Sequence, residues 1–300
     1  MCLRCTANSS EMFLLRSLLT TSTSVLSSPH YNASMSTTHS QVIDAINVRI
    51  SNRIFSPDLI EEGILRQLMQ HMDAMSVISG IRMTFVENHP ELFERIVRER
   101  GEFVGAAHVI VLSGPKDDLL ALEKAGFYGE RLILSATLMG LATSWVDHSI
   151  DLELASSLAG IPSDEIAYAC LTVGYFEDQE HVLQLSYEAR AQLQATHRGG
   201  QNMSALGGVT PESPSWYASA IEAVTKAPFP AHMQPVRFLL SDDATSMRTF
   251  IDLDFSLGTT RDYLILGIDK LHAQIGAGSD ENNPTAGQWQ WGNGGIFRTK

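Results

Sequence analysis

The stretch GFYGERLIL at positions 126–134, followed by GLATSWV at positions 140–146, carries the most structural information in this chain. Between positions 129 and 140, apolar residues recur with the spacing of a helix face: Leu132, Ile133, Ala136 and Met139. Gly140 is a typical helix terminator, so we predict a buried helix followed by a loop. A core helix explains the apolar spacing but leaves the Thr-Ser-Trp run at 143–145 without an explanation.

Two further segments lie far apart, and each occurs once: RISNRIF at 49–55 and APFPAHMQPVRF at 227–238. In the first, two arginines flank Ser51 at alternating positions, so two guanidinium groups and a hydroxyl can point at one phosphate. The same pattern also describes a solvated surface turn. In the second, Pro235 holds the backbone extended and Gln234 offers an amide to a ligand, although Gln-Pro is also common before a strand.

Together the three segments resemble the nitroreductase family. The segment at 49–55 is similar to that family's phosphate-binding pattern RRSxRxF, and the segment at 227–238 is similar to its pattern APSxxNxQPWxF. The block at 126–146 resembles the subfamily that carries both halves in one polypeptide, with the patterns GYxGE and GLxTCW. This resemblance runs from about Gln41 to the C terminus. It departs from the family's Arg, Cys, Asn and Trp at Ile50, Ser144, His232 and Val236.

The resemblance implies an α+β, three-layer nitroreductase-like fold, in which two degenerate halves form an intramolecular pseudo-dimer. The expected divisions are a first half at 41–190, a linker at 191–212 and a second half at 213–300. Ordinary members exchange the site segments between two identical subunits and so build two sites. Because each segment occurs once here, we expect a monomer that binds one FMN.

The resemblance also implies a function. FMN is the expected cofactor, NADH or NADPH the co-substrate, and a nitroaromatic or quinone the small-molecule electron acceptor, in a ping-pong hydride transfer. Positioning and electrostatics are the protein's part, so we nominate no general acid or base. The residues expected to bind FMN are Arg49, Ser51, Arg53, Thr143, Ser144, Trp145, Val146, Pro228, His232, Gln234 and Pro235. A main-chain N–H of the loop at 143–146 is expected at the flavin N5 or O4.

The alternative is a protein of the same fold that has lost turnover and works as a flavin-binding or scaffold protein. The departures at Ile50, His232 and Val236 favour this alternative. The sequence leaves both functions open, together with the substrate and the choice between NADH and NADPH.

Hydrophobic periodicity predicts the other elements as an alternation of helices and strands, which indicates a layered α/β arrangement. Asp58 is the expected N-cap of the first of these helices. The predicted helices cover about 60–72, 216–226 and 263–275, and the predicted strands cover 106–112, 167–175 and 236–240.

Composition limits the possible partners. Of the 300 residues, 44% are hydrophobic, and the formal net charge is -13 with a pI near 5.1. This charge argues against nucleic acid and against an anionic membrane surface, because both attract an excess of Lys and Arg. Three cysteines are too few for a disulfide framework, and the ten histidines show no metal-ligand spacing. We find neither GxGxxG nor GxSxG.

The first 40 residues differ from the rest in composition. They contain 16 Ser or Thr, two Arg, no Lys and a single acidic residue, Glu11. This composition resembles a mitochondrial or plastid transit peptide. A disordered tail, or an upstream extension of a protein that starts at Met35, explains it equally well, so the sequence leaves an organelle and the cytoplasm open. No later stretch approaches the roughly 18 apolar residues of a membrane span.

Overall fold

The computed structural model describes residues 38–94, 103–146, 150–196, 202–228, 234–278 and 287–299. Its α-helices are α1 (His39–Val48), α2 (Glu62–Ser79), α3 (Glu91–Glu94), α4 (Leu119–Leu138), α5 (Leu152–Leu158), α6 (Gln179–Gln184), α7 (Tyr187–Thr196), α8 (Met203–Gly207), α9 (Ser215–Val224) and α10 (Thr259–Ala277). Its strands are β1 (Arg82–Val86), β2 (Val109–Pro115), β3 (Ala142–Val146), β4 (Glu165–Gly174), β5 (Val236–Leu240), β6 (Ser246–Ile251), β7 (Gln288–Trp289) and β8 (Ile296–Arg298).

The strands form two antiparallel sheets of the same topology. The first has the order β1-β2-β4-β3 and the second the order β5-β6-β8-β7. In each sheet a long helix follows the second strand, α4 after β2 and α10 after β6. The chain therefore contains two related halves, which confirms the α+β fold predicted from the sequence.

Helices α4 and α10 cross between the two sheets, and two glycines allow their backbones to touch. A Cβ at Gly126 would lie 2.0 Å from the carbonyl oxygen of Leu264, and a Cβ at Gly267 would lie 1.9 Å from that of Glu123. Each glycine thus packs on the residue three positions before the other glycine. This reciprocity makes the two central helices equivalent under an approximate twofold axis, as expected of a pseudo-dimer.

The hydrophobic core follows the same layers. On one face of the first sheet, Ile110 and Leu112 pack with buried residues of α2 and α4. On the opposite face, Val109 and Val111 pack with buried residues of α3 and α5, because alternate strand residues point to opposite faces. The second sheet packs with α9 and α10. No helix in the described part of the chain is both long enough and apolar enough to cross a membrane.

Several predicted boundaries need correction. Helix α4 begins at Leu119, ten residues before the predicted start, and Asp118 caps it by accepting hydrogen bonds from Leu120 N and Ala121 N. Helix α2 begins at Glu62, so Asp58 is not its N-cap; the Asp58 carboxylate instead accepts a bond from Ser56 Oγ at 2.6 Å. The expected loop at 143–146 is part of strand β3, paired with β4.

The margins of the two halves also carry helical structure. Residues 38–40, assigned by composition to the leader, form the N-cap and first turn of α1, where Thr38 and Gln41 make a capping box. The segment 191–212, expected as a linker, includes the end of α7 and all of α8.

Candidate functional site

The structure brings the segment 49–55 beside strand β3. Asn52 N donates to Thr143 O at 2.9 Å, and Ser51 pairs with Thr143 in a parallel bridge. The segment therefore extends the first sheet past its β3 edge. Two of the three sequence segments that were predicted to form one site are neighbours.

Glu130, on α4, contacts one side chain from each of these two segments. Its Oε2 accepts a hydrogen bond from Trp145 Nε1 at 2.7 Å, and its Oε1 lies 3.5 Å from Arg49 Nε. Burial raises the pKa of the Glu130 carboxyl, but Arg49, His272 and Trp145 together lower it more, so the pKa lies below its usual value. An anionic Glu130 is the physical reason why Arg49 can be buried, with only 3% of its surface exposed.

His272, on α10, brings the second half into this network. Its Nε2 lies 3.0 Å from Glu130 Oε1, and its Nδ1 lies 3.0 Å from the carbonyl oxygen of Ala223 on α9. His272 and Glu130 are both fully buried. The histidines show no metal-ligand spacing in the sequence, which also carries no signal for the pairing of His272 with Glu130.

Gln234, from the third predicted segment, also points into the interior. Its Nε2 donates to Asp269 Oδ2 at 2.7 Å, and Val236 N donates to its Oε1 at 3.3 Å. Burial raises the pKa of Asp269 well above its usual value; Glu130 adds to this shift, while the Gln234 hydrogen bond and Arg237 oppose it. This shift favours the neutral form of the Asp269 carboxyl. The Glu130 contribution also shows that the two polar clusters are electrostatically coupled.

The other predicted residues divide into exposed and buried ones. Ser51 and Arg53 are exposed, and the Arg53 guanidinium carbon lies 5.7 Å from the centre of the Phe103 ring. Of the residues on β3 and in the third segment, Trp145 and Pro228 are partly exposed, and those that are buried are Thr143, Ser144, Val146 and Pro235. His232 lies outside the described residues.

Three buried polar atoms at this site have no hydrogen-bond partner within the described residues: Arg49 Nε, Thr143 Oγ1 and Asp269 Oδ1. An unsatisfied buried donor costs about 1 to 3 kcal/mol, so such atoms mark places where a ligand adds stability. The first two sit on the adjacent segments 49–55 and 142–146. The site therefore offers a buried guanidinium N–H and a hydroxyl to a polar ligand.

A separate cleft of about 320 Å³ is lined by Pro57, Asn88, Pro90, Phe93, Phe103, Gly105, Ala106 and Ala107. It contains none of the network residues. Within the described ranges, no group of three or more His, Cys, Asp or Glu side chains is arranged to hold a metal ion.

Residues 41–277 match the family model described as "Putative TM nitroreductase". No curated protein matches the sequence. Among solved structures, a "putative nitroreductase" from Thermotoga maritima MSB8 is 14% identical, covers 93% of this chain and 99% of its own, and superposes with a TM-score of 0.55.

Two shorter structures align with about half of the chain. A nitroreductase with bound FMN from Bacteroides fragilis is 21% identical over 45% of this chain and 88% of its own, with a TM-score of 0.38. An FMN-dependent nitroreductase from Clostridium difficile is 17% identical over 45% of this chain and 87% of its own, also with a TM-score of 0.38. Because the family model covers residues 41 to 277, well over half of the chain, the protein belongs to the TM nitroreductase family.

Proposed function

We propose that the protein is an FMN-dependent oxidoreductase that takes electrons from NADH or NADPH and passes them to a nitroaromatic, a quinone or a similar oxidised molecule. One observation carries this proposal: the segments 49–55, 142–146 and 234–238 converge on the central helices α4 and α10. They do so through Glu130, which accepts from Trp145, and through Asp269, which accepts from Gln234; Glu130 also contributes to the raised pKa of Asp269. Family membership supports the same function.

The residues present fit the cofactor in a specific way. Ser51 and Arg53 are exposed on one segment and would hold the phosphate, with the charge-assisted bonds that a phosphate dianion favours. Arg49 was predicted to share this role, but its guanidinium faces Glu130 and its NH1 donates to Ser51 Oγ at 3.3 Å. We therefore assign Arg49 the role of orienting Ser51 and of adding positive potential.

The ring would lie against β3 and the third segment. Thr143 Oγ1 has no partner within the described residues and would supply a hydroxyl, a backbone N–H of 143–146 would donate to the ring, and Ser144, Trp145 and Val146 would shape that edge. Pro228, His232, Gln234 and Pro235 would border the other side. When bound, FMN supplies reversible two-electron chemistry, and the chain itself binds, orients and excludes water.

Absorbance spectroscopy of the purified full-length chain tests the proposal. We expect a yellow protein that releases about one FMN per chain on heating, because each site segment occurs once. Adding NADH or NADPH should bleach the flavin, and a nitroaromatic should restore its colour. A colourless protein that binds no added FMN contradicts the proposal.

A second function, flavin binding without turnover, is favoured by one observation. The Arg49 and Gln234 side chains, both predicted to contact the flavin, are directed at the internal carboxyls of Glu130 and Asp269. In the same experiment, a protein that holds flavin but is bleached by neither NADH nor NADPH would favour this second function.

We predict that Arg53→Ala weakens FMN binding by about 1.5 to 3 kcal/mol, the range for a hydrogen bond to a charged group. Titration of the apoprotein with FMN, followed by quenching of flavin fluorescence, measures the change. Arg66→Ala is the matched control, since Arg66 is an exposed arginine of α2 paired with Glu62. Equal affinities of the two variants would show that the phosphate binds elsewhere.

A further inference from the structure

The surroundings of His272 fix the positions of its protons. Its two ring nitrogens each face an oxygen at 3.0 Å, the carbonyl oxygen of Ala223 and the carboxylate oxygen of Glu130. A backbone carbonyl accepts hydrogen bonds and cannot donate them, so Nδ1 must carry a proton. A neutral ring has only one N–H, and its Nε2 would then turn a lone pair towards Glu130.

A lone pair facing a carboxylate at 3.0 Å is repulsive, and both groups are fully buried, so water cannot separate them. The arrangement is attractive only when a proton lies between Nε2 and Oε1. Arg49 lies beside the same Oε1 and stabilises the anionic carboxylate. The proton therefore resides on the imidazole, and the pair is an imidazolium next to a carboxylate.

We propose that Glu130 and His272 share one buried proton, carried by the imidazole, and that this protonated pair positions Trp145 and Arg49 at the cofactor site. The second part rests on the proposed function; the first part does not. Trp145 has little room to adjust, because a Cβ at Gly129 would lie 2.7 Å from its ring. The orientation of Glu130 thus sets where the indole and the β3 backbone lie.

Three other charged or titratable groups lie near the pair. Arg49 approaches from the end of α1, and Asp269 lies on α10 one turn before His272. Arg237, on β5, acts on Asp269. Burial raises the pKa of Asp269 and so favours its neutral form, whereas Arg49, Glu130 and the imidazolium are the charged groups in direct contact with one another. Loss of the shared proton would leave Glu130 facing a lone pair and would weaken one of its three contacts.

The pair links stability to pH with a defined sign. In the unfolded chain, Glu and His have pKa values of about 4.3 and 6.5, so at pH 8 neither holds a proton. The folded pair holds one, which means that unfolding releases a proton. The stabilisation is full below the unfolded histidine pKa and is lost as the pH rises, so the unfolding constant increases about tenfold per pH unit.

Denaturant unfolding of the apoprotein between pH 7 and pH 9 tests the shared proton. We expect the unfolding constant of the wild type to rise about tenfold per pH unit more steeply than that of His272→Gln or Glu130→Gln. The glutamine at 272 can still donate to Glu130 but does not titrate. The double variant should show no further loss of slope. Equal slopes in all four proteins would overturn the proposal.

If either variant fails to fold, the wild-type chain with ¹⁵N-labelled histidine gives the same answer. At pH 8 one histidine ring should carry protons on both nitrogens, while a spectrum of neutral rings alone would overturn the proposal. FMN titration tests the positioning role: His272→Gln should raise the FMN dissociation constant about tenfold relative to Arg66→Ala, the loss of about one hydrogen bond. An unchanged dissociation constant would refute that role.

These measurements separate the two proposals. A steep apoprotein slope in a chain that binds no FMN would support the shared proton and refute the proposed function. Flavin binding with a flat slope would refute the shared proton and leave the proposed function standing.

Discussion

Alanine at Gly126 or at Gly267 is expected to destabilise the protein by about 3 kcal/mol or more in each case. The added Cβ would lie 2.0 Å or 1.9 Å from a backbone carbonyl oxygen of the opposing helix, and backbone cannot move away as a flexible side chain can. The helices α4 and α10 would have to separate, and both carry residues of the hydrophobic core between the sheets. Urea unfolding measures the loss.

Gly63→Ala is the matched control. Gly63 lies in an exposed first turn of α2, where an added Cβ would meet only the end of the Glu61 side chain at 3.5 Å. Alanine there should stabilise the protein by about 0.4 to 1 kcal/mol, because it reduces the freedom of the unfolded chain. If Gly126→Ala behaves like Gly63→Ala, the close helix crossing does not exist in solution.

The crossing of α4 and α10 shows why some parts of the fold can be predicted from the sequence and others cannot. The apolar spacing after 129 indicates a helix, but the middle of helix α4 contains Gly126 and Gly129, and glycine has a low helix propensity. Glycine is needed at these positions because Leu264 and Trp145, which are distant in the sequence, pack directly against the helix backbone there. Strand 236–240, by contrast, needs only local information, and its predicted bounds agree with the structure.

The candidate site shows the same division. A pattern such as RISNRIF indicates residue types that suit a phosphate, but it does not say which way each side chain points. Arg49 points to Glu130 and Gln234 points to Asp269. A buried carboxyl without a hydrogen-bond or charge partner is costly, so these two side chains face the interior carboxyls. Asp269 and Lys270 lie on a helix that is buried on all sides, and charged residues in such a helix are the signal that sequence reasoning missed.

The two halves differ at a position where the approximate twofold axis relates a glycine to a lysine. Gly129 lies three residues after Gly126, and Lys270 lies three residues after Gly267. In the first half the ring of Trp145 covers Gly129; in the second half the Lys270 side chain lies 5.4 Å from the centre of the Trp289 ring. The second half therefore has a buried ammonium group where the first half has a glycine in contact with an indole ring, which is a physical reason to expect one cofactor site per chain.

Lys270 is held by a buried network that joins both central helices to the C-terminal strands. Its Nζ donates to Glu123 Oε1, to Gln290 O at 2.9 Å and to Gly292 O at 3.0 Å. Gly292 N donates to Glu123 Oε2 at 2.6 Å. Lys270 and Glu123 are both fully buried, so neither charge is solvated by water.

We predict that Glu123→Leu destabilises the protein by about 3 to 5 kcal/mol, the cost of leaving a buried charge without its partner. The double variant Glu123→Leu/Lys270→Met should recover most of this loss, because an apolar pair of similar volume removes both charges at once. Urea unfolding of both variants measures the difference. Equal destabilisation by the single and double changes would show that packing, and not charge pairing, stabilises the region around Glu123 and Lys270.

The pH dependence of the single variant gives an independent check. Burial lowers the pKa of Lys270, and Glu123 opposes that shift in the wild type. Without Glu123 the folded state favours the neutral amine, so folding releases a proton and stability rises with pH towards the unfolded lysine pKa of about 10.4. The penalty of Glu123→Leu should therefore shrink between pH 7 and pH 9, whereas the double variant, which lacks the amine, should show no such recovery. A penalty that stays constant over this range would mean that Lys270 remains charged in the variant and finds another partner.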